Sequence, residues 1–116
     1  MGMELDRRLF DIKVKHNPVL VLFYKKDCKF SRSMSIKFTK LEVAFPIFSA
    51  YRVNAESYPD IARHYGVSQV PTIVFFKFGK EIAKIIGDQD MDLLKEKIGS
   101  HFDDYISKDE EMELDL

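Results

Sequence analysis

The segment Val19–Tyr24 limits the possible folds of this 116-residue chain more than any other stretch of it. All six of its residues are apolar, and such a continuous run is typical of a central strand whose two faces are both covered. An amphipathic helix follows, because apolar residues then recur in steps of three and four at Phe30, Met34, Phe38, Leu41 and Phe45. A buried strand followed by such a helix predicts the α/β class.

The rest of the pattern predicts the element order αβαβαββα. A first helix is predicted from Leu5, Leu9, Phe10 and Ile12. Apolar steps and the positions of Pro and Gly then predict further helices at 59–65 and 91–102, and strands at 48–53, 72–76 and 81–86. The last two strands are joined by a short turn and should be antiparallel. We therefore expect a mixed central sheet flanked by helices on both faces.

The composition excludes several classes of protein. Hydrophobic residues make up 46% and charged residues 32% of the chain, a globular balance that predicts neither disorder nor a membrane span. The net charge of −1 lacks the basic excess that nucleic-acid binding requires. A single cysteine excludes an internal disulfide and a structural zinc site. We expect a monomer without metal or other cofactor.

The domain prediction is one domain at 1–107 followed by an acidic tail at 108–116. The tail holds five acids and one cation, and we expect it to be disordered. From the first residues we expect no signal peptide, since no apolar stretch follows a positive region. The expected location is the cytoplasm if the chain is complete, and the lumen of the endoplasmic reticulum if it is an excised domain.

Cys28 lies between the buried strand and the helix, a position that favours a reactive thiol. Helix N-termini present free N–H groups and the positive end of the helix dipole, which can lower a cysteine pKa to ~3.5–7.5 from ~8.5. Asp27 opposes this effect, Ser31 can donate its hydroxyl to the sulfur, and positive charge comes from Lys25, Lys26, Lys29 and Arg32. The alternative interpretation is a small buried residue at a strand end.

Several short motifs together resemble the thioredoxin-like superfamily. The resemblance covers roughly Pro18 to Ile98, and the order and spacing of the motifs make it specific to that fold. The motifs are Val19 to Cys28, Val53-Asn54-Ala55-Glu56-Ser57-Tyr58-Pro59, Tyr65-Gly66-Val67, Val70-Pro71-Thr72 and Phe78-Gly79-Lys80.

The resemblance implies a role for particular residues. Cys28 matches the attacking cysteine of the family's Cys-x-x-Cys, and Pro71 matches the cis-proline that faces it. Val70 would pair with an extended client peptide by strand addition, and Gly87 would lie beside the same groove. Without the resemblance, Pro71 would be interpreted as an ordinary trans turn proline. The residues that flank the cysteine complete the predicted client-binding set: Asp27, Lys29 and Phe30.

Three departures from the family pattern point to a monothiol site. Ser31 replaces the second, resolving cysteine, Asp27 replaces the usual tryptophan, and Leu22 replaces a commonly found buried acid. A serine hydroxyl is not ionised near neutral pH, so it cannot resolve a mixed disulfide on Cys28. That disulfide must wait for an outside thiol such as glutathione.

Three functions are compatible with this pattern. The first is formation of mixed disulfides with protein thiols, an exchange or isomerase-like activity that would be weak as a dithiol reductase. The motif Cys28-Lys29-Phe30-Ser31 is similar to the Cys-x-Phe-Ser thioredoxin domains of transmembrane thioredoxin-related proteins of the endoplasmic reticulum. The second is a non-catalytic binding module that uses the same groove. The third is glutathione-dependent iron–sulfur binding, as in monothiol glutaredoxins with Cys-Gly-Phe-Ser, although Lys29 replaces that glycine.

Overall fold

The computed structural model of the protein describes residues 3–15 and 18–102. The five strands are β1 (Met3–Glu4), β2 (Val19–Tyr24), β3 (Ser49–Asn54), β4 (Thr72–Lys77) and β5 (Lys80–Ile86). The four helices are α1 (Arg7–Lys13), α2 (Lys29–Ala44), α3 (Pro59–His64) and α4 (Met91–His101). The predicted domain boundary between 107 and 108 and the acidic tail lie outside the described residues.

The strands form one mixed sheet in the order β1-β3-β2-β4-β5. β3 runs parallel to both β1 and β2, whereas β4 is antiparallel to β2 and to β5. This arrangement confirms the predicted α/β class with a mixed central sheet. It also places the C-terminal end of β2 beside the N-terminal end of β4, because Phe23 pairs with Thr72.

Two separate hydrophobic clusters cover the two faces of the sheet. Alternate residues of β2 point to opposite faces, so Val21 and Phe23 belong to one cluster while Leu20 and Leu22 belong to the other. The first cluster contains Phe10 of α1 and Ile61 of α3, and the second contains residues of α2 and α4 such as Met34, Phe38, Leu94 and Ile98. The uninterrupted apolar run of β2 follows from this burial on both faces.

The two-residue strand β1 was not predicted from the sequence. Met3 and Glu4 are both exposed, so they give no hydrophobic period. β1 pairs with Tyr51 and Arg52 of β3, and the hydroxyl of Tyr24 donates a hydrogen bond of 2.7 Å to the Glu4 carboxylate. Burial and that hydrogen bond raise the pKa of Tyr24 to about 12. The tyrosine therefore remains a donor and holds β1 at the edge of the sheet.

The helical predictions were wrong at two apolar side chains. α1 begins after Asp6, whose carboxylate caps the helix by accepting from the Leu9 N–H at 2.8 Å. Leu5 is buried ahead of this helix, but Ile12 is 57% exposed. Phe30, the first residue of the predicted α2 stripe, is 54% exposed, although Phe38 on the same helix is fully buried. A helical period identifies residues that share a face but does not show how far the sheet covers that face.

Arg52 of β3 is a buried charge that was not predicted from the sequence. It is 6% exposed and lies under α2, where its guanidinium donates to the Thr39 hydroxyl at 2.8 Å. The guanidinium also lies 5.0 Å from the centre of the Phe38 ring and 3.7 Å from the Glu42 carboxylate. Cation–π contact and these polar partners offset part of the desolvation cost of burying the charge.

Candidate functional site

Cys28 is the N-cap residue of α2, four positions after the end of β2. Its backbone is extended and its carbonyl accepts the first helical hydrogen bond, from the Arg32 N–H at 3.0 Å. The side chain is partly exposed and makes no capping hydrogen bond. The first N–H groups of a helix have no carbonyl partner within it, so those of α2 are available to a negative charge on the sulfur.

Ser31 is the main neighbour of the Cys28 sulfur. Its backbone N–H and its hydroxyl, helped by the Phe30 N–H and the Arg32 charge, lower the pKa of Cys28 against the opposing effect of burial. Ser31 is only 2% exposed, and its hydroxyl oxygen accepts from the Lys25 backbone N–H at 3.2 Å. A hydroxyl oxygen that accepts one hydrogen bond keeps its own proton for a second partner, so the Ser31 hydroxyl is able to donate to the sulfur.

We expect Ser31→Ala to raise the pKa of Cys28, because it removes the hydroxyl donor and leaves the backbone N–H groups in place. The rate of alkylation by iodoacetamide, measured against pH, reports the thiolate fraction. Its midpoint should move upward in Ser31→Ala and stay at the wild-type position in Ser35→Ala, one helical turn further along α2. An unchanged midpoint in Ser31→Ala would show that the hydroxyl does not contribute.

Val70 and Pro71 lie at the same end of the sheet as the loop that carries Cys28. The Val70–Pro71 peptide bond is cis, and Thr72, which follows it, pairs with Phe23 near the end of β2. Gly87 is tied to this segment, since its N–H donates to the Pro71 carbonyl at 2.8 Å. Gly87 has φ of +83°, which favours glycine at this position. The topology therefore gathers the predicted site residues from three separate parts of the chain.

The side chains that flank Cys28 are open to solvent. Asp27, Lys29 and Phe30 are all exposed, and the Lys29 ammonium lies 5.2 Å from the centre of the Phe30 ring. Exposed aromatic and charged groups beside a thiol offer both apolar and ionic contacts to a molecule that approaches it.

One structural support of this region had no signal in the sequence. Lys37 of α2 forms an ion pair of 3.0 Å with Asp88 and also donates to the Gln89 carbonyl at 2.9 Å. Both partners follow Gly87 directly, so the contact fixes that loop against α2, whose N-cap is Cys28. The two residues are 51 positions apart, and neither belongs to a recognisable motif.

Among residues 3–15 and 18–102, no group of three or more His, Cys, Asp or Glu is arranged to hold a metal ion. None of the helices in the same part of the chain is long and apolar enough to cross a membrane.

Comparison with known proteins agrees with this geometry. The family model described as Thioredoxin matches residues 3–100. The chain belongs to the thioredoxin family. A thioredoxin of Chlamydia caviae is 32% identical over 83 residues, which are 72% of this chain and 81% of that protein. The oxidised mitochondrial thioredoxin 3 of Saccharomyces cerevisiae superposes with a TM-score of 0.77 at 30% identity, covering 85% of this chain and 94% of the yeast chain. These matches confirm the thioredoxin fold.

A third relative has a different name and a different length. Monothiol glutaredoxin-S17 of Arabidopsis thaliana is 38% identical over 82 residues, which are 71% of this chain. The same residues span only 17% of the Arabidopsis protein, so this chain matches a small part of it. Thioredoxin-family proteins act on protein thiols, and Cys28 is the single cysteine of this chain.

Proposed function

We propose that this thioredoxin-family protein is a monothiol exchange protein, which forms mixed disulfides with client proteins through Cys28 and is released from them by an outside thiol. One observation carries the proposal: the sulfur of Cys28 faces a buried serine hydroxyl, at the position where the family has its resolving thiol. The hydroxyl stabilises the thiolate that attacks. It does not ionise near neutral pH and so cannot complete a dithiol cycle.

The proposed reaction has two balanced steps. The Cys28 thiolate attacks one sulfur of a client disulfide, forms a new S–S bond to it and displaces the other sulfur as a thiolate, which takes a proton from water. An outside thiolate, such as that of glutathione, then attacks the mixed disulfide and displaces Cys28 as a thiolate. Attack by a second thiol of the same client instead would give an isomerase-like outcome.

The surroundings of Leu22 support the absence of a resolving step. Leu22 is fully buried in the cluster that includes Met34, Phe38 and Ile73. An acid at this position in the family would serve to move a proton for the resolving group, and a leucine cannot do so. The missing acid and the missing second thiol thus both remove parts of the same resolving step.

We propose that clients bind as extended segments along Val70 and Pro71. Strand addition needs main-chain groups that the sheet leaves unpaired, and Val70 precedes the paired residues of β4, which begin at Thr72. Gly87 supports the opposite side of this segment through its hydrogen bond to Pro71. The exposed residues beside the thiol would contact client side chains near the target cysteine: Asp27, Lys29 and Phe30.

The binding-module interpretation shares this groove but needs no chemistry at Cys28, so purified protein separates it from exchange. Wild-type protein incubated with oxidised glutathione should gain one glutathione adduct, seen as an intact-mass increase, and lose it after addition of dithiothreitol. Cys28→Ala should gain none. A wild-type protein that stays unmodified, although its thiol is accessible to iodoacetamide, would contradict the exchange proposal and favour the binding module.

Iron–sulfur binding remains a third hypothesis, supported by the name of the Arabidopsis relative. One cysteine per chain cannot hold a cluster alone, so a cluster would need two chains and added glutathione. Reconstitution with iron, sulfide and glutathione should then give a brown dimer, and a colourless monomer would contradict this hypothesis.

A further inference from the structure

A small cavity of about 180 Å³ lies beside Val70, next to the proposed client segment. Drug-sized ligands occupy pockets of ~300–1,000 Å³, so this cavity is suited to a single side chain. Its inner surface is apolar and mostly buried, formed by Ala55, Ala62 and Val67. It opens to solvent between exposed residues of α3 and of the loop that leads to Cys28.

Two cations line this cavity, and no acid among the described residues does so. The cations are Lys25 and Arg63, both exposed, and neither forms an ion pair within residues 3–15 and 18–102. Asp60, the acid on α3, is already paired with Arg7 at 2.6 Å. An apolar base with two unpaired cations at its mouth is complementary to a side chain that has methylene groups and ends in a carboxylate.

The cavity is linked to the thiol through Lys25. The Lys25 backbone N–H donates to the Ser31 hydroxyl, which itself faces the Cys28 sulfur. On the other side, the Ala55 N–H donates to the Tyr24 carbonyl at 2.9 Å, which holds the base of the cavity against the end of β2. A client whose cysteine has reached Cys28, and whose chain runs along Val70, therefore passes the mouth of the cavity.

We infer that this cavity binds the carboxylate side chain of a glutamate or aspartate near the target cysteine of the client. This inference rests on the proposed exchange function and gives it a substrate class: cysteines with an acidic neighbour. Lys26 provides a natural comparison, because it lines a different cavity together with Glu4 and Asp6. Two acids line the same cavity as Lys26, whereas no acid among the described residues lines the cavity of Lys25.

The test uses short alanine-based peptides whose single cysteine carries a 2-thiopyridyl group. Attack by the Cys28 thiolate forms the mixed disulfide and releases pyridine-2-thione, whose absorbance gives the second-order rate constant. Glutamate is placed at one of the two positions before or after the cysteine, and each peptide has a glutamine counterpart. Neutral 2,2′-dithiodipyridine reports the intrinsic reactivity of Cys28 in every variant.

At low ionic strength, one glutamate position should react about 3- to 10-fold faster than its glutamine counterpart, as expected for a carboxylate between two surface cations. The ratio should fall toward one at about 1 M salt, where the Debye length is about 3 Å. It should also fall toward one in Lys25→Gln combined with Arg63→Gln. The control Lys26→Gln, which removes one positive charge outside this cavity, should leave the ratio at its wild-type value.

Three results would overturn the inference: a ratio near one at every position, a ratio that survives the double variant, or a ratio that Lys26→Gln lowers equally. Glutathione carries carboxylates of its own and is tested as its 2-thiopyridyl disulfide. If only this probe, and no glutamate peptide, loses rate in the double variant, the cavity serves glutathione and the inference about clients fails.

Separate measurements distinguish a failure of this inference from a failure of the exchange proposal. If the wild-type protein reacts with 2,2′-dithiodipyridine no faster than Cys28→Ala does, the exchange proposal fails. The cavity is then tested by equilibrium binding of the same peptides with serine in place of cysteine. A preference for glutamate that requires Lys25 and Arg63 would uphold the carboxylate site, and equal binding would overturn it.

Discussion

Replacing Ser31 with cysteine is expected to turn a long-lived mixed disulfide on Cys28 into a transient one. Ser31 lies on the first turn of α2 and its hydroxyl lowers the pKa of Cys28, so a thiol at this position is expected to lie within reach of the sulfur. Its thiolate would attack Cys28, form an internal disulfide and release the bound thiol. Well-oriented intramolecular reactions reach very high effective concentrations, so the lifetime of the mixed disulfide should fall by about 100-fold or more.

The measurement begins with protein loaded with glutathione and freed of other thiols. Intact mass followed over time gives the loss of the adduct, which should be fast in Ser31→Cys and slow in wild type. Ser35→Cys adds a thiol one turn further along α2 and should keep the wild-type rate. A Ser31→Cys adduct as persistent as that of wild type would mean that Ser31 does not occupy a resolving position, and the monothiol account would lose its basis.

Phe38→Ala is expected to lower the free energy of unfolding by about 3–5 kcal/mol, the cost of removing a fully buried phenylalanine. The ring lies in the cluster between α2 and the sheet and also contacts the Arg52 guanidinium. Phe30→Ala is the matched control on the same helix, and the exposure of Phe30 limits its expected loss to below about 1 kcal/mol.

Urea unfolding followed by circular dichroism measures both variants. A similar large loss in both would show that the whole aromatic stripe of α2 is core, as its sequence spacing predicts. A large loss only in Phe38→Ala would support Phe30 as a surface residue available to clients. The Phe30→Ala variant would then be folded, and its exchange rates could be compared with those of the wild type.

The parts of the fold that the sequence predicted carry a strong local signal. Val19–Tyr24 was recognisable as a central strand because both faces of β2 are covered, and the hairpin of β4 and β5 because a turn with a glycine follows the apolar run of β4. β1 was missed because two exposed residues have no period. The burial of Arg52 was not predicted, because arginine side chains are mostly exposed in folded proteins.

The residues of the candidate site likewise differ in how far a local sequence signal marked them. The position of Cys28 followed from the order of strand and helix, and the value of Ser31 as a donor followed from its spacing along the first helical turn. Val70, Pro71 and Gly87 were singled out only by family resemblance, because no local pattern marks them. The cavity with Lys25 and Arg63 was not predicted, since it joins residues 38 positions apart, and only the folded chain places them at one opening.

The most direct test of the central proposal is capture of clients from a cell extract. Wild-type and Cys28→Ala proteins are incubated with extract, purified without reductant and then treated with dithiothreitol, and the released proteins are identified by mass spectrometry. The exchange proposal predicts proteins that only the wild type retains and that the reductant releases. The same proteins on both variants, unaffected by the reductant, would contradict it and identify the groove as a binding site without thiol chemistry.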